Sequence, residues 1–378
     1  MKDLKNEVKL GSMFCGMGGF DEGVRRLGFK TIWALDIMPE AVKSFKANHP
    51  DANVYCKNVH TIKDFNTLSN QKIDGLVFGP PCQGFSRANS KRTMDDPRNY
   101  AYIATLRALE QTNAEFFIFE NVVGLLDMNF EDGSSVFKKI KHDYETCGKG
   151  YIITYQVIDC ATVGVPQVNR LRLIMVGIRN DLNYKYKFLP TTHGEDKLPF
   201  ITQKDAIWHL KDTDQTGQYY NGAYDWKFLS RRRQKPWEEP AYTIEASARY
   251  AKIHPGFGKM KWISENKWHI PDECRRLSVL ESKIIQTFSE DYIVCGSLEK
   301  QYTQIGNAVP PKLAEFVGMP LVEYFNNRLN IEEKYKEEVD WLIEKIEIQP
   351  SNNFYKGLLN WIYSGKDLTE RQRRYILV

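Results

Sequence analysis

The stretch KLGSMFCGMGGFDEG, residues 9–23, gives the first indication of the fold, because a strand-like apolar run leads through a glycine-rich turn into a helical pattern. Strand and helix patterns then alternate to about residue 180, with further strands predicted at KTIWALD, IDGLVFGPP, FFIFE, YIITYQVID and LRLIMVGIR. This alternation predicts an α/β fold with a doubly wound, mostly parallel sheet. Ligands bind such sheets at the carboxyl ends of strands, so the turns after GSMF, WALD, VFGP and FIFE should share one edge.

Length and composition are those of an ordinary soluble protein of two or three domains: 378 residues, 42% hydrophobic and 26% charged. No apolar run is long enough to span a membrane, and the N-terminus lacks the pattern of a signal peptide, so we expect a cytoplasmic protein. The net charge of +4 argues against a histone-like binder. The seven cysteines are scattered without a CxxC pair, so neither a zinc site nor a disulfide framework is expected.

Changes in pattern along the chain predict its domains. Residues 1–185 should form a catalytic, cofactor-binding domain, and the aromatic-rich, irregular stretch 186–274 a smaller domain. Residues 275–330 should return to the first domain, and residues 331–378 read as a helical extension to which the sequence assigns no role.

The glycine-rich turn has GxGG rather than GxGxxG spacing, so alone it fits either a tight packing turn or a ligand-binding turn. Asp36 ends the next strand, about 20 residues on, where an acid would accept hydrogen bonds from ribose hydroxyls. Together they favour a cofactor that carries a nucleoside, and the absent third glycine argues against a dinucleotide.

GPPCQ, residues 79–83, follows a predicted strand, and its prolines would hold Cys82 at the same edge. Cys82 is either a buried structural thiol or a nucleophile. Glu120, in FENV at the end of the next strand, is either a helix cap or a group reaching the same crevice. A cysteine and a glutamate at one nucleoside site suggest covalent attack paired with general acid catalysis.

Five separated motifs, FCGMGGF, PPCQGFS, FENV, NRLRLIMVGIR and QIGNAV, together resemble the DNA (cytosine-5) methyltransferases, in that family's order, over roughly residues 8–330. The resemblance implies a Rossmann-like methyltransferase fold, S-adenosyl-L-methionine as cofactor with S-adenosyl-L-homocysteine as product, and a flipped-out cytosine in double-stranded DNA as substrate. It is strongest to small bacterial modification enzymes of GC-rich sites such as GGCC or GGNCC.

The same resemblance implies roles for individual residues. Cys82 would add to C6 of cytosine, Glu120 would hydrogen-bond or protonate N3, and Asn121 would hold the Pro-Cys loop. Arg172 and Arg170 would contact the cytosine carbonyl or nearby phosphates and help keep Cys82 charged. The cofactor residues implied are Phe14, Gly16, Gly18, Gly19, Asp36, Ile37, Asn58, Pro80, Asn307 and Val309.

Two departures from the family pattern matter. Asn58 stands where the family has an acid near the adenine amino group, which puts that contact in doubt. The family's QxRxR motif has one residue more here, between Gln167 and Arg170, so the family role of Gln167 is uncertain.

DNA recognition is expected from the irregular stretch 186–274, although each basic residue there could equally face solvent. The candidates are Arg231, Arg232, Arg233, Thr243, Arg249 and Lys252. The polar run 83–100 should be a mobile catalytic loop that closes over the flipped base and places Ser86, Arg87 and Arg98 near phosphates. We expect a monomer. The sequence leaves open whether a restriction endonuclease is encoded nearby, whether the enzyme acts alone or whether it modifies phage DNA.

Two alternatives stay open from sequence. A tRNA cytosine-5 methyltransferase could use the same cysteine and glutamate on the same scaffold. A DNA-binding regulator without activity could keep the cofactor fold, but the intact Cys82, Glu120 and Arg172 argue against it.

Overall fold

The protein was analysed as a computed structural model, which describes residues 4–81, 101–130, 132–364, 366, 368–369, 372–373 and 376. Its centre is a seven-stranded sheet in the order β3-β2-β1-β4-β5-β8-β6. The strands are β1 (Val8–Met13), β2 (Phe29–Asp36), β3 (Asn53–Cys56), β4 (Gly75–Phe78), β5 (Phe116–Val122), β6 (Tyr151–Asp159) and β8 (Leu171–Arg179).

The predicted mostly parallel sheet is confirmed, with one antiparallel strand. β3, β2, β1, β4 and β5 run parallel to one another, whereas β8 is antiparallel to both β5 and β6. The sequence pattern of β8 is that of any doubly buried strand and carries no sign of its direction. The four-residue strand β3 was not predicted. The carboxyl ends of β1, β2, β4 and β5 lie along one edge, as expected.

Helices cover both faces of the sheet. The helices of the described residues are α1 (Gly19–Arg25), α2 (Pro39–Asn48), α3 (Ala101–Thr112), α4 (Val136–Thr146), α5 (Gln203–Ile207), α6 (Trp226–Leu229), α7 (Val279–Ile285), α8 (Leu298–Asn307), α9 (Pro311–Lys334), α10 (Lys336–Ile348) and α11 (Asn353–Tyr363). One core joins the sheet to α3 and α4, and a second joins it to α1 and α9.

Strand β5 shows why the central strands read as unbroken apolar runs. Phe117 and Phe119 belong to the core under α3 and α4, while Phe116 and Ile118 belong to the core under α1 and α9. Successive side chains of a strand point to opposite faces, so a strand covered on both sides needs apolar residues at every position. The first polar residue, Glu120, comes where the covering layers end.

Between residues 186 and 274 the described elements are short. They comprise α5, α6, strand β9 (Ala241–Tyr242) paired with β7 (Gln167–Val168), and a hairpin of β10 (Lys261–Ser264) and β11 (Lys267–His269). This stretch has a small core of its own around Phe228, Ile253 and Met260. Helices α10 and α11 form a separate apolar cluster around Leu342 and Ile362.

In the part of the chain that is described, we find no helix of the length and apolarity needed to cross a membrane.

Candidate active site

The glycine-rich turn after β1 is tied to the end of β2. Phe14 and Gly16 adopt left-handed backbone conformations, with φ of 55° and 54°. The Gly16 N–H donates a hydrogen bond to Asp36 Oδ2 over 2.8 Å, and the Cys15 N–H donates to the Leu35 carbonyl over 3.0 Å. The turn and the acid that sequence reasoning paired are therefore direct neighbours.

Asp36 accepts backbone hydrogen bonds through both carboxylate oxygens, since the Met38 N–H also donates to Oδ1 over 2.8 Å. Burial raises the pKa of Asp36 above its usual value, and these backbone donors oppose that rise. Each carboxylate oxygen can accept a further hydrogen bond, so two hydroxyls of a bound sugar could still be recognised.

An exposed apolar side chain lies next to this acid. Ile37 is 68% exposed, although Leu35 before it is fully buried. A large apolar side chain left in water beside a polar crevice is a suitable surface for a flat ring. Asn58 is also exposed, and its Oδ1 accepts a hydrogen bond from the His60 N–H over 3.0 Å. Its side chain thus caps a local turn in the structure.

The segment after α8 closes the other side of the turn. A side chain on Gly19 would collide with the carbonyl oxygen of Val309, so only glycine allows this approach. The Tyr292 hydroxyl also donates to the Met17 carbonyl over 2.5 Å, which holds the turn from the same side. By contrast, a Cβ on Gly16 would meet nothing within 4 Å. The turn is thus closely packed at Gly19 and open at Gly16. Asn307, two residues before Val309, is exposed.

The second part of the edge lies after β4. Pro80 is buried, and its carbonyl accepts a hydrogen bond over 3.3 Å from Nδ2 of the buried Asn121. A Cβ on Gly79 would lie 3.1 Å from Glu120 Oε2. Glu120 is therefore adjacent to the backbone three residues before Cys82. Cys82 and the loop residues Ser86, Arg87 and Arg98 lie outside the described residues.

Glu120 forms an ion pair with Arg172, whose Nε lies 2.7 Å from Oε1. Both side chains are partly buried. The pair follows from strand register, because Arg172 lies opposite Val122 on the antiparallel neighbour β8, on the face that also carries Glu120. An ion pair of this kind holds the carboxylate in one orientation at the end of the strand, where it can hydrogen-bond a bound ring.

Arg170 is not placed where sequence reasoning expected it. It is only 1% exposed, and its guanidinium donates to the backbone carbonyls of Ile244 (3.2 Å), Gly306 (3.0 Å) and Ala308 (2.7 Å). Burial lowers the pKa of Arg170 to about 9. This geometry does not support a contact of Arg170 with a base or a phosphate. The side chain instead joins the residue that precedes β8 to backbone segments far along the chain.

The segment that corresponds to the QxRxR motif contains one left-handed residue between Gln167 and Arg170. Asn169 has φ of 61°, in the left-handed region that asparagine tolerates better than most residues. Gln167 keeps a structural function: its Oε1 accepts from the Ile244 N–H over 2.9 Å, and its Nε2 donates to Gln286 Oε1 over 2.8 Å. Gln167 and Arg170 thus hold the same segment around Ile244.

The basic candidates in residues 186–274 divide into two groups. Arg231, Arg232 and Arg249 are exposed. Arg233 and Lys252 are buried and both form ion pairs with Glu245, and burial lowers the pKa of Lys252. These two side chains stabilise the fold and are not available to DNA in this structure.

Thr243 packs against the QxRxR segment instead of being fully exposed. Its hydroxyl donates to the Val168 carbonyl over 3.3 Å.

Sequence reasoning missed a buried charged cluster at the start of α7. Arg275 donates to both carboxylate oxygens of Glu281, over 2.7 and 2.8 Å, and His254 Nε2 lies 3.3 Å from the same carboxylate. Arg275 and His254 hold the pKa of Glu281 down at about 2, against the effect of burial. A signal was available, because Ser278 and Glu281 form a capping box, S-x-x-E, ahead of an apolar run.

Comparison with known proteins defines the class of protein to which this geometry belongs. Residues 8–323 match the family described as C-5 cytosine-specific DNA methylase, and the chain belongs to that family. It is therefore an enzyme that transfers a methyl group to C5 of cytosine in DNA.

Among its relatives, the Type II methyltransferase M.BspRI of Lysinibacillus sphaericus is 36% identical, over 83% of this chain and 81% of its own length. The Type II methyltransferase M.NgoPII of Neisseria gonorrhoeae is 33% identical, over 82% of this chain and 94% of its own length. The solved structure of the methyltransferase EhMeth of Entamoeba histolytica superposes with a TM-score of 0.62 at 18% identity, over 84% of this chain and 99% of that one, and shows the same fold.

Proposed function

We propose that this chain methylates a flipped-out cytosine through a covalent bond between Cys82 and C6, with S-adenosyl-L-methionine as the methyl donor. The observation that carries the proposal is the Glu120–Arg172 pair, which lies beside Gly79 at the sheet edge that also holds the glycine turn and Asp36. On this proposal, Glu120 and the nucleoside site lie together at the sheet edge, at the strand end from which the chain continues to Cys82.

The residues around the glycine turn fit the cofactor. Asp36 would accept hydrogen bonds from ribose hydroxyls. Phe14 and the exposed Ile37 would pack against adenine, and the methionine end would lie on the open side of Gly16. Gly18, Gly19, Pro80, Asn307 and Val309 would complete the pocket, with Asn58 at its rim. When bound, S-adenosylmethionine supplies a methyl group activated by a sulfonium.

The chain's own residues act on the base. The Cys82 thiolate donates an electron pair to C6, which breaks the ring aromaticity and makes C5 electron-rich. Glu120 stabilises the charge that this addition pushes towards N3, by hydrogen bonding or protonation, and Arg172 keeps Glu120 in place. After methylation, a base removes the C5 proton, the electrons return to the ring, and the bond between Cys82 and C6 breaks.

Arg170 has a different part in this proposal from the one its motif implies. Its guanidinium holds the carbonyls of Ile244, Gly306 and Ala308, so it positions the segments on either side of the site without touching substrate.

For DNA binding, we propose residues 186–274 as the recognition region, with Arg231, Arg232 and Arg249 as the exposed basic groups. Thr243 would lie near the flipped base, and Ser86, Arg87 and Arg98 would contact phosphates when the loop 83–100 closes. A short GC-rich recognition site and a role beside a restriction endonuclease are part of this proposal. So is a monomeric state in the cytoplasm.

The covalent step is tested with duplex DNA that carries 5-fluorocytosine in its recognition site. Fluorine cannot leave as a proton does, so the enzyme with labelled S-adenosylmethionine should form a labelled adduct that survives a denaturing gel. Cys82→Ala should abolish the adduct, while the matched variant of the exposed cysteine, Cys56→Ala, should keep it. Adduct formation by Cys82→Ala would refute the assignment.

The substrate is tested separately. Bisulfite sequencing of DNA from a host that expresses the protein should reveal one short methylated site, whereas methyl transfer to tRNA in place of duplex DNA would contradict the proposal.

A further inference from the structure

A hairpin in residues 261–269 has a composition and exposure that the site described above does not use. Strand β10 is exposed at all four positions, with Trp262 64% and Ile263 50% exposed. Its partner β11 is anchored, because Trp268, directly opposite Trp262, packs on the small core around Phe228 and Met260. The protein therefore holds the hairpin firmly while leaving one strand in water.

The exposed strand does not stand alone. Helix α6 packs against β11, and Trp226 at its first position is 81% exposed. The Arg233 N–H donates to Met260 Sδ over 3.3 Å, so the chain that follows the exposed Arg231 and Arg232 contacts the residue before β10. The hairpin and Trp226 of α6 therefore lie together.

The charge of this surface favours an anionic partner. Residues 259–269 contain Lys259, Lys261, Lys267 and His269 against a single acid, Glu265 in the turn. Alternation of lysines with exposed aromatic and apolar side chains suits a sugar–phosphate backbone, since ammonium groups pair with phosphates and flat rings pack on sugars and base edges. If a protein bound this surface instead, these lysines would have to be desolvated or paired with acidic side chains.

We propose that the surface formed by residues 261–269 and Trp226 contacts the backbone of duplex DNA flanking the recognition site, and so adds affinity without reading sequence. The inference rests on the proposed assignment of residues 186–274 to DNA recognition. It gives a function to residues outside the motifs. In this proposal, binding of the flanking duplex and recognition of the base sequence are carried out by different residues.

The test compares methylation of two duplexes by the full chain, one barely longer than the recognition site and one with long flanks. Methylation of both by the wild type first verifies the proposed function. Lys261→Ala/Lys267→Ala should then raise KM for the long duplex about 10-fold with little change in kcat, and leave the short duplex unaffected. The slope of log affinity against log salt should fall by about 2, since each lost phosphate contact removes about 0.9.

Trp262→Ala should weaken binding to the long duplex without changing the salt slope. The matched controls are Lys336→Ala for charge and Ile348→Ala for exposed apolar area, both in α10 and far along the chain from the hairpin. The inference is overturned if KM for the long duplex is unchanged in the hairpin variants, or if it rises equally for both duplexes. It is also overturned if Trp262→Ala only alters sedimentation of a self-associated species while DNA binding stays the same.

Discussion

Arg170 and Arg172 are two residues apart, but replacing Arg170 with methionine should mainly lower stability, whereas replacing Arg172 should mainly lower kcat. Methionine at position 170 would leave the buried carbonyls of Ile244, Gly306 and Ala308 without a donor. An unsatisfied buried acceptor costs about 1–3 kcal/mol, so three of them, with some relaxation, should lower the free energy of unfolding by about 3–5 kcal/mol. The variant no longer has to bury a charged guanidinium, and this gain offsets part of the cost of the three carbonyls. The expected loss of stability is therefore smaller than the full sum.

Arg172→Met breaks a single, partly buried ion pair, so we expect it to cost about 1 kcal/mol of stability or less. Its effect on catalysis should be large, because Glu120 loses the cation that orients it. Loss of one group that stabilises developing charge lowers kcat by about 100- to 1000-fold.

Both quantities are measurable on the same preparations. Urea unfolding followed by tryptophan fluorescence gives the free energy of unfolding, and methyl incorporation into duplex DNA, divided by the folded fraction, gives kcat. Arg170→Lys keeps the charge but reaches fewer carbonyls, so it should lose about half as much stability as Arg170→Met. An Arg170→Met protein as stable as the wild type but without activity would show that Arg170 acts at the substrate and that the reasoning is wrong.

Three other substitutions should behave as follows. Gly19→Ala should destabilise the protein by about 1–3 kcal/mol through its clash with the Val309 carbonyl and weaken cofactor binding in calorimetry, whereas the control Gly357→Ala, in open space on α11, should stabilise it by about 0.5–1 kcal/mol. Burial raises the pKa of Asp21 from 3.8 to about 6, so its protonated form favours folding at low pH and that contribution is lost as pH rises through about 6. Asp21→Asn does not titrate, so from about pH 5 to about pH 7 its free energy of unfolding in urea should rise by about 1 kcal/mol relative to that of the wild type. If the difference between the two proteins does not change with pH, the pKa shift is contradicted. Asn121→Ala should slow methyl transfer and adduct formation on 5-fluorocytosine DNA together, by about 10- to 100-fold, and a normal adduct rate would exclude a positioning role.

The sequence was most informative where local pattern decides structure. The glycine turn beside Asp36 and the position of Glu120 at a strand end followed from strand–helix alternation and the rule that ligands bind at carboxyl ends. Both placements appear in the structure, through the Gly16–Asp36 hydrogen bond and the contact of Gly79 with Glu120.

The sequence was least informative about which charged side chains are already paired. Arg170 and Arg172 look alike in the motif, but the acceptors of Arg170 are carbonyls at least 74 residues away along the chain. Arg233 reads as part of a basic DNA-binding run, yet Glu245 neutralises it from a separate segment. Periodicity and spacing describe neighbours within one element, so pairings between distant segments are invisible to them.

Close backbone contacts join the proposed recognition region to the glycine turn proposed to bind the cofactor. A side chain on Gly306 would collide with the backbone of Glu245 and Ala246, so α8 is pressed against the segment that follows the predicted DNA-contacting Thr243. Three residues further on, the Val309 carbonyl lies against Gly19 in the cofactor turn. Because packed backbone is stiff, we expect that any displacement of residues 243–246 on binding DNA would be passed to the segment that packs against the glycine turn. The buried Arg170 and Gln167 both bind the backbone of Ile244, so they hold this segment between the proposed DNA-binding and cofactor-binding sites.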